Sequence, residues 1–328
     1  MGEVEQYRGL MFSIAYRMTG SVSDAEDIVQ EAFARVLRLE PEMADPKAYL
    51  ATTVTRLAIN QLTSARARRE SYVGAWLPEP VVTEPGPEEH AEMADSLSMA
   101  FLIVLESLSP VERAVLLLHD VFGYDHAEIA DIVGKSPQAC RQVLVRARRH
   151  VDEGKPRFES SREQRDEVGR RFFAAAEGGD LDALLAVLAP DVVFHGDGGG
   201  KAQAVTGPLL GSVRVARFLT GLFRRGNALG VSIRLTEVNG QPGAIGLDSS
   251  GRVIGVFVLD IVDGLVVTVR SVVNPDKLHH LGAVSDVALK PPQDLPWPAW
   301  PPISPRRPLP PPSSSRSPRR PTRGCARS

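Results

Sequence analysis

Residues 136–151, SPQACRQVLVRARRHV, carry the plainest chemistry in the chain. At 100° per residue, Gln138, Arg141, Gln142, Val145 and Arg149 fall on one helical face, with Arg146 and Arg148 flanking it. Cys140, Val143, Leu144, Ala147 and Val151 fall on the opposite face, so Cys140 reads as packing rather than as a reactive thiol. Arg and Gln form bidentate bonds to base edges, and flanking arginines grip phosphates. An apolar back with a Gln/Arg front is therefore what reading a major groove requires. A solvated basic face is the bland alternative. The preceding residues favour DNA: EIADIVG reads as a helix closed by Gly134, Ser136 is a fit N-cap, and Pro137 suits the first helical position. Together they spell helix, turn, helix.

Three further groups of side chains could do chemistry. In DAEDIVQEAFARVL, Asp24, Asp27, Gln30 and Glu31 point away from the apolar stripe Ile28, Val29, Ala32, Val36 and Leu37. Ser23 and Glu26 have capping-box spacing, and the helix dipole accounts for acids in a first turn. Gln30 and Glu31 lie beyond it and suit a docking surface for a basic partner helix. In PKAYLATTVTRLAINQLTSARARRE, Arg56, Asn60, Gln61, Arg66, Arg68 and Arg69 lie on one long helix with Tyr49 nearby. Such a set can hold single-stranded DNA by phosphate contacts and stacking, although a solvated helix end is the simpler account of its arginines. Finally, His195 and Asp197 stand two apart on an expected strand, so they share a face, and Lys201 follows. Acid–base work in a cavity is one use for them. The three intervening glycines suit a turn better, and the Walker spacing is absent.

These groups need elements to carry them. Residues 5–70 read as helical, 71–95 as a Pro/Gly/Glu-rich linker, and 96–151 as helical again. Residues 160–286 read as α+β, two helical stretches followed by Val/Ile-rich runs that pack as a curved antiparallel sheet. From 287 to 328 the chain turns Pro- and Arg-rich. Residues 288–328 hold eight Lys/Arg against one acid and 13 of the 26 prolines. That is +7 in a chain whose net charge is −2, which leaves −9 for the rest. Such a segment cannot bury a core and is expected to be a disordered tail, open to nucleic acid, an acidic surface or plain solvation.

Hydrophobic residues make up 43% of the 328, enough for packed cores. No apolar run reaches the roughly 18–20 residues of a membrane span, and no signal peptide is visible, so a cytoplasmic location is expected. Two distant cysteines, Cys140 and Cys325, exclude a disulfide framework and a cysteine zinc site. No catalytic residue, metal or cofactor is expected.

The three helical features, in this order, resemble an extracytoplasmic-function (ECF) sigma factor of the sigma-70 superfamily over about residues 5–151. The resemblance implies that 5–70 is region 2, binding core RNA polymerase (β and β′ subunits) through Asp24, Asp27, Gln30 and Glu31. It further implies that region 2 reads the −10 element through Arg56, Asn60, Gln61, Arg66, Arg68 and Arg69. Region 4, residues 96–151, would read the −35 element through Ser136, Gln138, Arg141, Gln142, Val145, Arg146, Arg148 and Arg149. WLPEP (Trp76, Leu77, Pro78, Glu79, Pro80), DGGGK (Asp197, Gly198, Gly199, Gly200, Lys201) and NPDKL (Asn274, Pro275, Asp276, Lys277, Leu278) resemble the signatures of members with a C-terminal SnoaL-like domain. The implied architecture is two all-α sigma domains followed by an NTF2-like α+β cone and the tail. The cone would regulate in cis through one interface built from the three motifs. Two small helical bodies on a flexible tether would touch the promoter at separated places. The alternatives are a ligand sensor or a polyketide-cyclase-type SnoaL-like enzyme fused to a helix-turn-helix regulator. An unknown small molecule would then bind the cone, and no membrane is involved in any of these readings.

Overall fold

Cap signals and glycines set most of the helix ends. The computed structural model describes residues 2–38, 45–70, 72–83, 96–152, 161–205 and 207–288. The first module holds α1 (Gly2–Glu5), α2 (Arg8–Thr19), α3 (Val22–Arg38) and α4 (Pro46–Glu70). Gly20 closes α2 at φ 68°. The expected Ser23/Glu26 box is not the start of α3. Ser21 Oγ instead accepts from Asp24 N at 3.1 Å, and Val22 is already helical.

The second module holds α5 (Met99–Leu105), α6 (Pro110–Asp120), α7 (His126–Val133) and α8 (Pro137–Asp152). Reciprocal capping boxes, Ser109 with Glu112 and Asp125 with Glu128, open α6 and α7, and Gly134 closes α7 at φ 67°.

The two helical modules are not separate bodies. Met11, Met18, Leu50 and Val54 of the first join Val115, Leu118, Ile129 and Ile132 of the second in one continuous apolar core. Arg113, 3% exposed, links them through Nη1 to Met18 O at 2.6 Å and Nε to Leu105 O at 3.0 Å. Burial pulls its pKa down to about 9. The expected pair of tethered bodies is thus corrected to a docked pair. Apolar surface that each module would otherwise expose is what holds them together.

The connecting segment is also more than a tether. Leu77, Pro78, Glu79 and Pro80 are buried, and β1 (Val82–Thr83) pairs antiparallel with a strand of the C-terminal domain. Residues 84–95 lie outside the described residues, as does the tail from residue 289, so neither the rest of the linker nor the disorder expected of the tail is described.

The C-terminal domain runs α9 (Arg162–Gly178), α10 (Leu181–Val187), β2 (Leu188–Asp197), β3 (Leu209–Leu210), α11 (Ser212–Ala228), β4 (Ser232–Val238), β5 (Gln241–Leu247), β6 (Val253–Val262) and β7 (Leu265–Val272). A third helix, α11, therefore separates the first strands from the rest. With β1 the sheet has seven strands in the order β1-β4-β5-β6-β7-β2-β3. It is mixed rather than wholly antiparallel, because β2 pairs parallel with β7. Asn239-Gly240 and Asp263-Gly264, all at positive φ, make the two-residue turns of hairpins β4–β5 and β6–β7.

Side chains alternate across this sheet. One face packs on α9, α10 and α11 and is filled by aromatic rings, among them Phe172, Phe173, Phe194, Phe223 and Phe257. The other face carries Val238, Ile245, Val256, Val258 and Val272, and these pack on Leu77 of the connecting segment and Met99 and Ile103 of α5. The helical modules thus cover the sheet face that the domain's own helices leave open.

Candidate nucleic-acid interface and interdomain site

The helix-turn-helix forms as its residues require. Ser136 caps α8 through Oγ, which accepts from Ala139 N at 3.2 Å. Cys140, Val143, Leu144, Ala147 and Val151 are buried, and burial pushes the Cys140 thiol up. Ser136, Gln138, Arg141, Gln142, Arg146 and Arg149 are exposed, and Val145 is 68% exposed with the C-terminal domain in place. Arg148 behaves differently: its Nε and Nη2 bind Asp120 of α6 at 2.9 and 2.5 Å. It braces the motif as well as flanking the face.

In the first module Asp27, Gln30 and Glu31 are exposed on α3, and Glu31 pairs with Arg35 at 2.8 Å. Asp24 is half-buried and accepts from Gln61 Nε2 at 2.7 Å, so a residue expected at polymerase and one expected at DNA are tied to each other. Tyr49, Arg56 and Asn60 line a cavity of about 450 Å3 with Arg35, Thr52 and Thr53. Arg56 is partly spent elsewhere: Nε and Nη2 each donate at 2.8 Å, to Ile132 O and Asp131 O at the end of α7. The side chains of Arg66, Arg68 and Arg69 lie outside the described residues.

The three short motifs do come together. Asp197, fully buried at the end of β2, accepts from Leu77 N at 2.8 Å, Tyr72 Oη at 2.5 Å and Lys277 Nζ at 2.7 Å. Lys277 also donates to Leu77 O at 2.5 Å and lies over the rings of Trp76 and Tyr72, 4.5 and 4.8 Å from their centroids. Burial and then the Asp197 carboxylate push the Tyr72 phenol up, so it stays a donor. Lys201 pairs with Asp276 at 2.5 Å at the exposed rim. Gly199 and Gly200 have positive φ, and a Cβ on Gly199 would fall 2.2 Å from Asn274 Nδ2 and 2.9 Å from Tyr72 Oη. The glycines of DGGGK thus make room for the linker.

WLPEP faces two ways. Leu77 docks on the sheet, while Trp76 and Glu79 engage the first module. A Cβ on Gly20 would meet the Trp76 ring at 2.9 Å. The Glu79 carboxylate accepts from Val22 N at 2.8 Å, Ser23 N at 3.2 Å and Ser21 Oγ at 2.8 Å. It caps α3 from 57 residues away in sequence, which is why the local Ser23/Glu26 signal misplaced the start.

Sequence reasoning missed Asn239. Its side chain accepts from Val81 N at 2.9 Å and donates to Tyr16 Oη at 2.7 Å and Leu97 O at 3.0 Å. One hairpin turn therefore joins both helical modules and the linker. The Asn-Gly pair signalled the turn, but nothing local signalled the partners.

His195 and Asp197 share a sheet face, as their spacing predicts, and it is the face turned away from α9–α11. His195 lies opposite Arg270, which is ion-paired with Asp260. Burial and then the Arg270 charge hold the imidazole below its ordinary value, against the pull of Asp260. Gln241, Asp260 Oδ1 and Arg270 Nε are buried there with no protein partner. Asp197 is committed to the linker, so the structure does not bring His195, Asp197 and Lys201 together as an acid–base set. Among the described residues no cluster of His, Cys, Asp and Glu is placed to hold a metal, and no helix is long and apolar enough to cross a membrane.

Comparison with known proteins matches three family models to the chain. Sigma-70 region 2 matches residues 4–68, Sigma-70, region 4 matches 98–151, and a SnoaL-like domain matches 169–272. The chain is 40% identical to the ECF RNA polymerase sigma factor SigJ of Mycobacterium tuberculosis, over 84% of this chain and 92% of that one. It is 32% identical to the probable ECF RNA polymerase sigma factor SigI of the same species, over 84% and 94%. The crystal structure of M. tuberculosis SigJ superposes with a TM-score of 0.68 at 38% identity, covering 85% of this chain and 98% of that one.

Proposed function

The chain belongs to the ECF RNA polymerase sigma factors with a fused SnoaL-like domain, and from that premise we propose that the cone regulates promoter recognition in cis by holding regions 2 and 4 docked. As a sigma factor it binds core RNA polymerase and promoter DNA, and lends the polymerase its sequence specificity. The observation that carries the regulatory reading is the buried Asp197–Lys277 pair closed on the backbone of Leu77.

Within this reading the −35 major groove is read by Gln138, Arg141, Gln142, Val145 and Arg149, with Ser136, Arg146 and Arg148 flanking on the phosphates. The −10 non-template strand enters the cavity of Tyr49, Arg56 and Asn60, where one unstacked base fits. Asp27, Gln30 and Glu31 dock the β and β′ subunits. The cone acts as a clamp and not as an enzyme, because its helix-packed interior is filled by phenylalanine rings. It works where the polymerase is, in the cytoplasm.

Docking has a geometric consequence. Packed helices sit about 8–10 Å apart. The two promoter elements are roughly 25 base pairs apart, about 85 Å of straight duplex at 3.4 Å per step. Regions that share one core cannot serve both, so initiation requires them to part.

In vitro transcription with core polymerase tests the proposal, comparing the full chain with truncations near residues 155 and 288. Promoter-specific transcripts whose yield changes on removing the cone are expected. Equal yields with the cone and without it would refute regulation in cis, and turnover of a substrate by the cone would favour the enzyme alternative.

A further inference from the structure

Val145 is the most exposed large apolar side chain among the described residues, at 68%. It lies in the middle of α8, on the face of Gln138, Arg141, Gln142 and Arg149. Folding gives no reason for it. The core side of α8 is already closed by Cys140, Val143, Leu144, Ala147 and Val151, all buried on the opposite face. A β-branched residue also lowers helix propensity, and apolar area left in water stabilises nothing. The use of Val145 is therefore in contact with a partner.

Its surroundings define that partner. Arginines stand one turn before Val145 and one turn after it, at 141 and 149, and α8 carries no acid before Asp152. An apolar protein surface would leave these charges unpaired, whereas a duplex pairs them with phosphates and guanine edges. The apolar group that a base edge presents in the major groove is the C5-methyl of thymine. We propose that Val145 is a specificity-determining residue that packs on the C5-methyl of a thymine in the −35 element. This rests on the reading of α8 as the −35 helix and adds the base that its apolar member selects. Four helical residues advance about 6 Å, and one base-pair step about 3.4 Å. With α8 along the groove, the thymine falls one to two base pairs from the base read by Arg141.

The test titrates holoenzyme made with the full chain onto a promoter that it transcribes in vitro. Each thymine of the −35 element, on either strand, is replaced in turn by uracil, which keeps every hydrogen-bonding atom and lacks only the methyl. One replacement should weaken wild-type binding about fourfold, equivalent to about 0.8 kcal/mol for one buried methyl. The same replacement should leave binding by Val145→Ala unchanged. Thermal melts of Val145→Ala should match or exceed those of wild type, since Ala is the better helix former. A lower melting temperature would make Val145 a packing residue and overturn the proposal. So would insensitivity of the wild type to every thymine, or equal sensitivity in Val145→Ala. A sensitive thymine more than two base pairs from the position relaxed in Arg141→Ala overturns it as well. Absence of any promoter-directed transcript from the wild type sinks the −35 reading itself.

Discussion

Replacing Asp197 by Asn probes the strap at its centre. Asp197 is fully buried and the Lys277 side chain is 8% exposed, so neither charge can be rescued by water without opening the seam. Removing one partner of a buried pair typically costs about 3–5 kcal/mol, because the other charge is left uncompensated. The lower end is expected here, since Lys277 keeps Leu77 O and the faces of Trp76 and Tyr72. Lys277→Met should cost a similar amount by stranding the carboxylate. In Asp197→Asn/Lys277→Met no charge is stranded, and the one side-chain oxygen that remains can serve either Leu77 N or Tyr72 Oη, so one donor loses its acceptor, at about 1–3 kcal/mol. The double variant should therefore lose about 1–3 kcal/mol, well short of the roughly 6 kcal/mol sum of the singles. Urea unfolding read by Trp76 fluorescence, with Trp297 and Trp300 changed to Phe, supplies the cycle. Additivity within about 0.5 kcal/mol would mean that the pair does not hold the strap, and the clamp argument would fail with it.

Other perturbations address separate parts of the argument. Gly199→Ala places a Cβ 2.2 Å from Asn274 Nδ2 at a positive φ, so limited proteolysis should detect a detached linker. Arg141→Ala should relax −35 selectivity by about 1–3 kcal/mol per lost base contact, measured by holoenzyme binding to promoter variants; equal losses on all sequences would refute base reading. His195 has a lowered folded pKa, so its share of stability is intact above the unfolded value of about 6.5 and is lost as pH falls below it. Thermal melts at pH 7.5 and 5.5 should differ less for His195→Gln than for wild type. Asp27→Lys with Glu31→Lys should weaken core-polymerase capture, and undiminished pull-down would count against that docking face.

How much was legible depended on the range of the forces involved. The helix-turn-helix was readable because its determinants are local: Gly134 and Ser136 act within one turn, and the two faces of α8 follow from 100° per residue. Asn239-Gly240 and Asp263-Gly264 are local turn residues of the same kind. The start of α3 was misread because its cap is a carboxylate from the linker, and sequence windows do not see a partner 57 residues away. The linker looked flexible because Pro, Gly and Glu favour exposed loops. Its burial depends on a sheet face that exists only once β4–β7 have paired.

The sequence alone therefore determined which face of α8 is apolar and which is polar, and where the helix-turn-helix turns, since these rest on periodicity and capping, while the grouping of the three short motifs came from the family resemblance. Only the tertiary structure decided who pairs with whom: Asp197 with Lys277, Arg56 with the end of α7, Asn239 with both helical regions. These choices turn on burial and distance between segments far apart in the chain, and neither quantity exists before the chain has packed.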